Sequence, residues 1–351
     1  MAPAERILVV GPAWVGDMVM AQSLFMTLRG QQPGVVIDVL APAWSKPILA
    51  RMPEVHEAVP LPTGHGELGL RARWRLGRSL RERGYSRAIV IPRSLKAALV
   101  PWFARIPRRT GYRGEFRYGL LNDLRPLDKT VLTQTVQRYV ALGRDRDAEL
   151  PPPIPLPSLR IDEVNRTRQV HALGLDLDRP IVAMMPGAEY GPAKRWAPAS
   201  FARVAQLLAD QGYRVWLLGS DKDSATAETI RAIVGPAAVN LCGRTRLEDA
   251  IDLLSLARVA LTNDSGLMHV AAAVGVPLVA LYGSSTPAYT PPLSDLARAV
   301  YLGLDCSPCF ERNCPLGHLN CLRLITPERV LAEIGEVLGV RGDGAVLRTE
   351  D

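Results

Sequence analysis

Five of the seven residues from 151 to 157 are proline (Pro151, Pro152, Pro153, Pro155 and Pro157). Proline has no backbone N–H and a fixed φ, so this run enters neither a helix interior nor a central strand. It reads as a semi-rigid spacer. In a chain of 351 residues a spacer at that position separates two domains of ordinary size. The boundaries expected are 1–157 and 158–340, followed by a loose tail, 341–351.

The same pattern recurs on both sides of the spacer. Short apolar runs, most of them ended by Gly or Pro, lie at 7–10, 35–40 and 88–91, and again at 181–185, 215–218, 239–241, 259–262 and 278–282. Helical periodicity separates them, as at 17–29, where Met20, Leu24 and Leu28 share a face, and at 198–211 and 247–256. Apolar strands alternating with helices predict α/β domains with doubly wound parallel sheets, covered on both faces. A ligand then belongs beyond the carboxyl ends of the strands, in a cleft between the two domains.

Hydrophobic residues at 48% and charged residues at 22% exclude a disordered chain. No apolar run approaches the length of a membrane span. Residues 1–10 lack the basic and long apolar regions of a signal peptide, which predicts a cytoplasmic protein with reduced thiols. The net charge of +7 has a location: residues 61–130 hold 16 Lys and Arg against 5 Asp and Glu, which leaves the remainder at −4. Such a patch suits nucleic acid, anionic lipid or a phosphorylated substrate. Much of 71–87 reads as the solvated face of one long helix. No nucleic-acid motif accompanies the patch and aromatic residues are 6%, so nucleic acid is not expected.

Three loops that follow strands carry candidate chemistry. Gly11-Pro12-Ala13-Trp14-Val15-Gly16-Asp17 opens a helix without the Lys of a P-loop or the glycine spacing of a dinucleotide site. Its carboxylate, Asp17, reads equally as a first-turn helix cap or as a general base. Pro186-Gly187-Ala188-Glu189-Tyr190-Gly191-Pro192-Ala193-Lys194-Arg195-Trp196 delivers two cations suited to a diphosphate, Lys194 as a point charge and Arg195 as a fork. Thr262-Asn263-Asp264-Ser265-Gly266-Leu267-Met268-His269 presents backbone N–H groups of Ser265 and Gly266 at a helix start, with His269 one turn on. Asp221-Lys222-Asp223 resembles a D-x-D cation motif but reads as a polar strand-to-helix turn. Cys306, Cys309, Cys314 and Cys321, with His318 among them, are spaced C-x2-C-x4-C-x6-C, without the paired knuckles of a zinc site. They read as reduced thiols in an ordered loop, or as a metal site, and Cys242 reads as core.

Taken together, residues 11–22, 186–196 and 263–269 resemble the ADP-heptose:lipopolysaccharide heptosyltransferases of glycosyltransferase family 9, the type II branch most closely. Residues 41–44, 51–55, 109–115 and 118–123 agree, and the likeness extends over 6–335. The cysteine cluster departs from some members and lies outside the shared chemistry. The resemblance implies a GT-B enzyme, two Rossmann-like domains facing across a cleft, with no cofactor and no D-x-D metal. The N-terminal domain is implied to bind the acceptor, the first heptose of the phosphorylated lipopolysaccharide inner core. The C-terminal domain is implied to hold ADP-heptose through Lys194, Asp264, Ser265, Gly266 and His269, with Glu189 and Tyr190 near the heptose or ribose. The transfer is implied to be inverting, with Asp17 as the base. Arg93, Lys96, Arg109 and Arg113, which follow the expected strands, are the candidates for docking the anionic acceptor, and the remaining basic charge suits the cytoplasmic face of an anionic inner membrane. The alternatives are a type I enzyme acting on Kdo2-lipid A, a nucleotide-sugar epimerase of the same fold, or a basic membrane-surface binding module.

Overall fold

The computed structural model describes residues 5–64 and 66–339; the expected tail, 341–351, lies outside them. The chain divides into two compact units, Met1–Pro157 and Ser158–Asp351. The proline run belongs to the first, where Ser23 Oγ donates to the Pro155 carbonyl at 2.7 Å.

Unit 1 contains β1 (Arg6–Val10), α1 (Val15–Gln31), β2 (Val36–Pro42), α2 (Lys46–Leu49), β3 (Val55–Leu61), α3 (Leu70–Ser79), β4 (Arg87–Val90), α4 (Leu95–Phe103), β5 (Arg108–Tyr112), β6 (Asp123–Arg125) and α5 (Thr135–Gly143). Its six parallel strands lie in the order β3-β2-β1-β4-β5-β6. Val10 pairs with Leu40 and with Val90, so β1 and β4 end level, β2 runs two residues further to Pro42, and all three release their loops at one edge. Packing holds α1, because its N-cap residue Trp14 makes no side-chain cap bond. Met18, Val19, Met20, Leu24, Phe25 and Leu28 are buried, worth on the order of 10 kcal/mol before ordering entropy, far above the ~1 kcal/mol of a typical cap.

Unit 2 contains α6 (Glu163–Leu173), β7 (Ile181–Met185), α7 (Pro198–Asp210), β8 (Arg214–Leu217), α8 (Ser224–Val234), β9 (Ala238–Asn240), α9 (Leu247–Leu254), β10 (Val259–Asn263), α10 (Gly266–Ala273), β11 (Leu278–Tyr282), β12 (Ala297–Tyr301), α11 (Asn320–Arg323) and α12 (Pro327–Gly339). The parallel order β12-β11-β10-β7-β8-β9 repeats the pattern of unit 1. Counting strands within each unit, both sheets run 3-2-1-4-5-6, the doubly wound arrangement, whose order reverses between the first and fourth strands. The crevice at that reversal opens beside the loops after β1 and β4 in unit 1, and after β7 and β10 in unit 2.

One expected element is shorter than its charge pattern suggested. The helix stops at Ser79, a tight turn spans Leu80–Arg83, and Gly84 adopts a left-handed φ of 68° that ends it. Arg87 is not on a solvated face. It begins β4, buried, with its guanidinium donating to the Leu142 carbonyl at 2.8 Å, and burial lowers its pKa to about 10.

Candidate active site

In unit 2 the loops after β7 and β10 are bound together by Asn263, the fully buried last residue of β10. Its Nδ2 donates to the Pro186 carbonyl at 2.7 Å and its Oδ1 accepts from the Trp196 backbone N–H at 3.0 Å. These bonds grip both ends of the 186–196 loop. Losing them leaves buried polar groups unsatisfied at ~1–3 kcal/mol each, so an apolar residue does not serve here.

The braced loop turns through Pro192–Lys194 and places Lys194 Nζ 2.5 Å from Asp264 Oδ2. Asp264 is 5% exposed and also accepts from Ser285 Oγ. Immediately beyond it, Ser265 takes the N-cap position of α10 in extended conformation, and Gly266 begins the helix. The first-turn N–H groups of a helix lack intrahelical partners and its dipole favours anions. One cation, one carboxylate and a helix N-terminus thus stand together at the switch point, an arrangement that suits a diphosphate.

His269 lies in the same helix, 4% exposed, with Nδ1 unpartnered. Burial lowers its pKa to about 4, with the Asp264 charge opposing the shift and Lys194 reinforcing it. The imidazole is therefore neutral at pH 7, and it can offer a ring N–H but no positive charge. From its unfolded value near 6.5 down to about 4, the unfolded chain takes the proton and the folded chain does not. Stability therefore falls as pH drops through that window, by on the order of 3 kcal/mol. Denaturant unfolding at pH 7 and pH 4 is expected to show this loss in the native sequence and a clearly smaller one in His269→Gln. Equal losses remove His269 as the cause.

The other expected residues of this loop have different partners. Glu189 is exposed and pairs with Lys222 Nζ at 2.5 Å. The Tyr190 hydroxyl donates to the Phe310 carbonyl, while Lys194 Nζ and the Arg312 guanidinium lie 5.0 and 5.4 Å from its ring centroid. Arg195 Nε donates to the Ala188 carbonyl at 3.0 Å, so that edge of the fork closes its own loop. Asp223 Oδ2 accepts from the Ser220 N–H and hydroxyl at 2.9 and 2.8 Å, the cap of a turn. A Cβ on Gly187 would meet the Asp223 carboxylate at 2.3 Å, so glycine there lets the β7 and β8 loops close together.

The cysteine loop borders this site. Phe310 N donates to the Ser284 carbonyl at 2.7 Å, Ala193 N to the Arg312 carbonyl at 3.0 Å, and Ser307 Oγ to the Gly283 carbonyl at 2.6 Å. Cys306, Cys309, Cys314 and Cys321 are free thiols. Backbone N–H groups, that of Leu319 foremost, hold the Cys314 thiol below its ordinary pKa, while burial pushes Cys321 up. Cys242 is buried, as expected.

In unit 1, Asp17 stands in the first turn of α1, where the Tyr139 hydroxyl of α5 donates to its Oδ1 at 3.1 Å. Arg93 and Arg113 come together at the carboxyl ends of β4 and β5, Arg93 Nε donating to the Arg113 carbonyl at 3.2 Å. Lys96 is in the first turn of the adjoining α4, whose Leu95 N–H donates to Glu115 Oε2 at 2.9 Å. Arg109 does not join them. It lies near the start of β5, with its guanidinium donating to the carbonyls of Leu120 and Ile106 at 2.6 and 2.5 Å. That removes the reason for grouping it with the acceptor cations: it does not follow a strand.

Among the described residues, one group of three potential metal ligands has its ligand atoms within 4.8 Å of one another: Asp38, His56 and Glu57. Arg83 already forms a bidentate pair with Glu57 at 2.6 and 3.0 Å, and the Tyr85 hydroxyl donates to Asp38 at 2.6 Å. Cations and hydrogen bonds thus balance these carboxylates, near the amino ends of β2 and β3 and away from the switch point.

Tyr139, which reaches Asp17 in unit 1, and Ser285, Phe310 and Arg312, which reach the loops after β7 and β10 in unit 2, carry no local sequence signal for these meetings. The sequence pattern of glycosyltransferase family 9 (heptosyltransferase) matches residues 73–320. Over 346 residues the chain is 48% identical to lipopolysaccharide heptosyltransferase 2 of Salmonella typhimurium, covering 96% of this chain and 99% of that one. Identity to the Escherichia coli K12 protein of that name is also 48%, over 342 residues, or 95% and 98% of the two chains. The solved structure of E. coli ADP-heptose lps heptosyltransferase II is similar with a TM-score of 0.85 at 46% identity, covering 96% of this chain and 100% of that chain.

Proposed function

This chain belongs to glycosyltransferase family 9, the heptosyltransferases, and on that premise we propose that it transfers L-glycero-D-manno-heptose from ADP-heptose to the first heptose of the lipopolysaccharide inner core. Its paired doubly wound sheets are those of a GT-B glycosyltransferase. The observation that carries the specific reading is near-half identity to heptosyltransferases 2 along almost the whole chain, combined with a cation and a helix N-terminus at the switch point of unit 2.

In this reading unit 2 holds the donor and unit 1 the acceptor. As the anomeric bond breaks, negative charge grows on the leaving ADP. Lys194 and the N–H groups at Ser265 and Gly266 are in place to stabilise it without reorganising. Asp264 positions Lys194, and neutral His269 supplies an N–H donor. Asp17 takes the proton of the attacking acceptor hydroxyl, and attack opposite the departing ADP inverts the anomeric carbon. Arg93, Lys96 and Arg113 hold phosphates or carboxylates of the inner core, and the protein works from the cytoplasmic side at an anionic membrane surface. Among the described residues no helix is long and apolar enough to cross a membrane.

A mass-spectrometric transfer assay with ADP-heptose and two acceptors, Kdo2-lipid A and heptosyl-Kdo2-lipid A, tests the proposal. One added heptose on the heptosylated acceptor alone is expected. Addition to the bare acceptor alone indicates a type I enzyme, and addition to neither overturns the transferase reading for these substrates.

A further inference from the structure

Helix α3 presents Leu70, Arg71, Trp74, Arg75 and Arg78 to solvent, and Arg81 continues the same exposed side in the following turn. Residues 68–81 contain five arginines and no acidic residue; Glu67 and Glu82 stand at the ends. Trp74 is 42% exposed, Leu70 51% and Leu68 52%. The fifth arginine, Arg73, turns inward and fastens the helix. Its Nε donates to the Leu68 carbonyl at 2.7 Å, and its Nη atoms reach Thr63 Oγ1 at 2.9 Å and the Lys96 carbonyl at 3.3 Å.

The patch continues onto α4 because the two helices touch closely. A Cβ on Gly77 would meet the Phe103 Cβ at 2.4 Å and the Val100 carbonyl at 3.0 Å, so only glycine permits this approach. Arg81 Nε donates to the Phe103 carbonyl at 2.9 Å, which brings it beside Trp102 (44% exposed) and Arg105. The Arg78 guanidinium lies 5.0 Å from the Trp74 ring centroid. Desolvation, then the like charges of Arg105 and Arg78, lower the pKa of Arg81.

We infer that this α3–α4 face is the surface by which the protein docks on an anionic phospholipid bilayer. An ordinary solvated helix face carries cations mixed with carboxylates and few exposed aromatic residues. This one carries exposed tryptophans and leucines among unpaired-sign arginines, the composition of an interfacial helix: indoles settle at headgroup level while guanidinium groups extend to lipid phosphates. The inference rests on the proposed function in one respect, that the acceptor is a lipid, and it names the face that meets the membrane.

Two variants test it, Arg71→Glu/Arg75→Glu/Arg78→Glu and Trp74→Ser/Trp102→Ser, with sedimentation on phosphatidylcholine vesicles made with and without phosphatidylglycerol. The unmodified protein is expected to bind the anionic vesicles and to release in salt. At about fivefold in partition for each basic residue at such a surface, the arginine variant loses at least ~100-fold. The tryptophan variant loses binding that salt does not explain. Both are expected to glycosylate an acceptor stripped of its acyl chains at the original rate while slowing on acceptor embedded in vesicles. Unchanged partition of the arginine variant, equal binding to neutral vesicles, or tighter binding to an oligonucleotide than to anionic vesicles overturns the inference. Absence of transfer to the stripped acceptor by the unmodified protein instead tells against the proposed function, and the vesicle result stands apart from it.

Discussion

Asp17→Asn is expected to slow heptose transfer by about 10²–10⁴-fold, the range for losing a positioned general base, while ADP binds as before. The substitution preserves shape and still accepts a hydrogen bond from Tyr139, which lies 3.1 Å from Oδ1. It removes the negative charge and with it the ability to take a proton. On the proposed reading ADP affinity is insulated, because the residues assigned to the donor, Lys194, Asp264 and the start of α10, belong to unit 2. If Asp17 served only the helix, its removal would lower the melting temperature slightly, by the ~0.3–1 kcal/mol of a first-turn acid, and transfer would persist. Isothermal titration with ADP beside a transfer assay separates the two outcomes.

Tyr139 is a positioning residue in the same argument. A hydrogen bond donated to the ionised carboxylate favours the ionised form. Tyr139→Phe therefore raises the pKa of Asp17 and moves the acid limb of the kcat/KM profile to higher pH. A purely structural tyrosine leaves that limb where it was.

Most of the strands that can be read in the sequence are those with burial on both faces; the edge strand β9, read at 239–241, is the exception. The run at 181–185 is the strand β7, every residue of it buried, and a continuous apolar run is what a central parallel strand requires. Strands β3 and β12 lie at sheet edges with mixed exposure, while β5 begins on two arginines and β6 is the three-residue run Asp123–Arg125. None has a signal apart from its neighbours. One missed strand had a consequence for the site: with β5 unseen, Arg109 read as a loop cation beyond a strand, whereas it lies near the start of one. The glycine-bearing loops were legible because they adjoin strong strands, so Asp17, Lys194 and Asp264 could be singled out by position. Tyr139 is 122 residues from Asp17 and Ser285 is 21 from Asp264, and such meetings depend on helix and strand placement that local pattern does not encode. The cysteine loop is a subtler case. Its spacing drew attention to sulfur chemistry, while its nearest link to the site is the backbone of Phe310 and Arg312.

Replacing Lys194 by Ala is expected to weaken ADP binding by about 10- to 100-fold, and to lower kcat by a further ~10²-fold as charge grows on the leaving phosphate. Part of this loss comes from the partner. Without the ammonium 2.5 Å away, the Asp264 carboxylate, 5% exposed, faces an arriving diphosphate with its charge uncompensated. The double variant Lys194→Ala/Asp264→Asn separates the two contributions. Ser285 still has an oxygen to donate to at residue 264, and the buried charge is gone. If Lys194 matters only as the counter-ion of Asp264, the double variant recovers both donor binding and turnover. If Lys194 acts on the leaving group, thermal stability and some ADP affinity return, but transfer stays slow, because no cation meets the developing negative charge. The second result is the one expected. Unchanged kinetics in the single variant place the diphosphate elsewhere. Lys194→Arg is expected to bind ADP better than Ala and to remain slower than the native chain, since a planar guanidinium does not take the position of a compact ammonium held against Asp264.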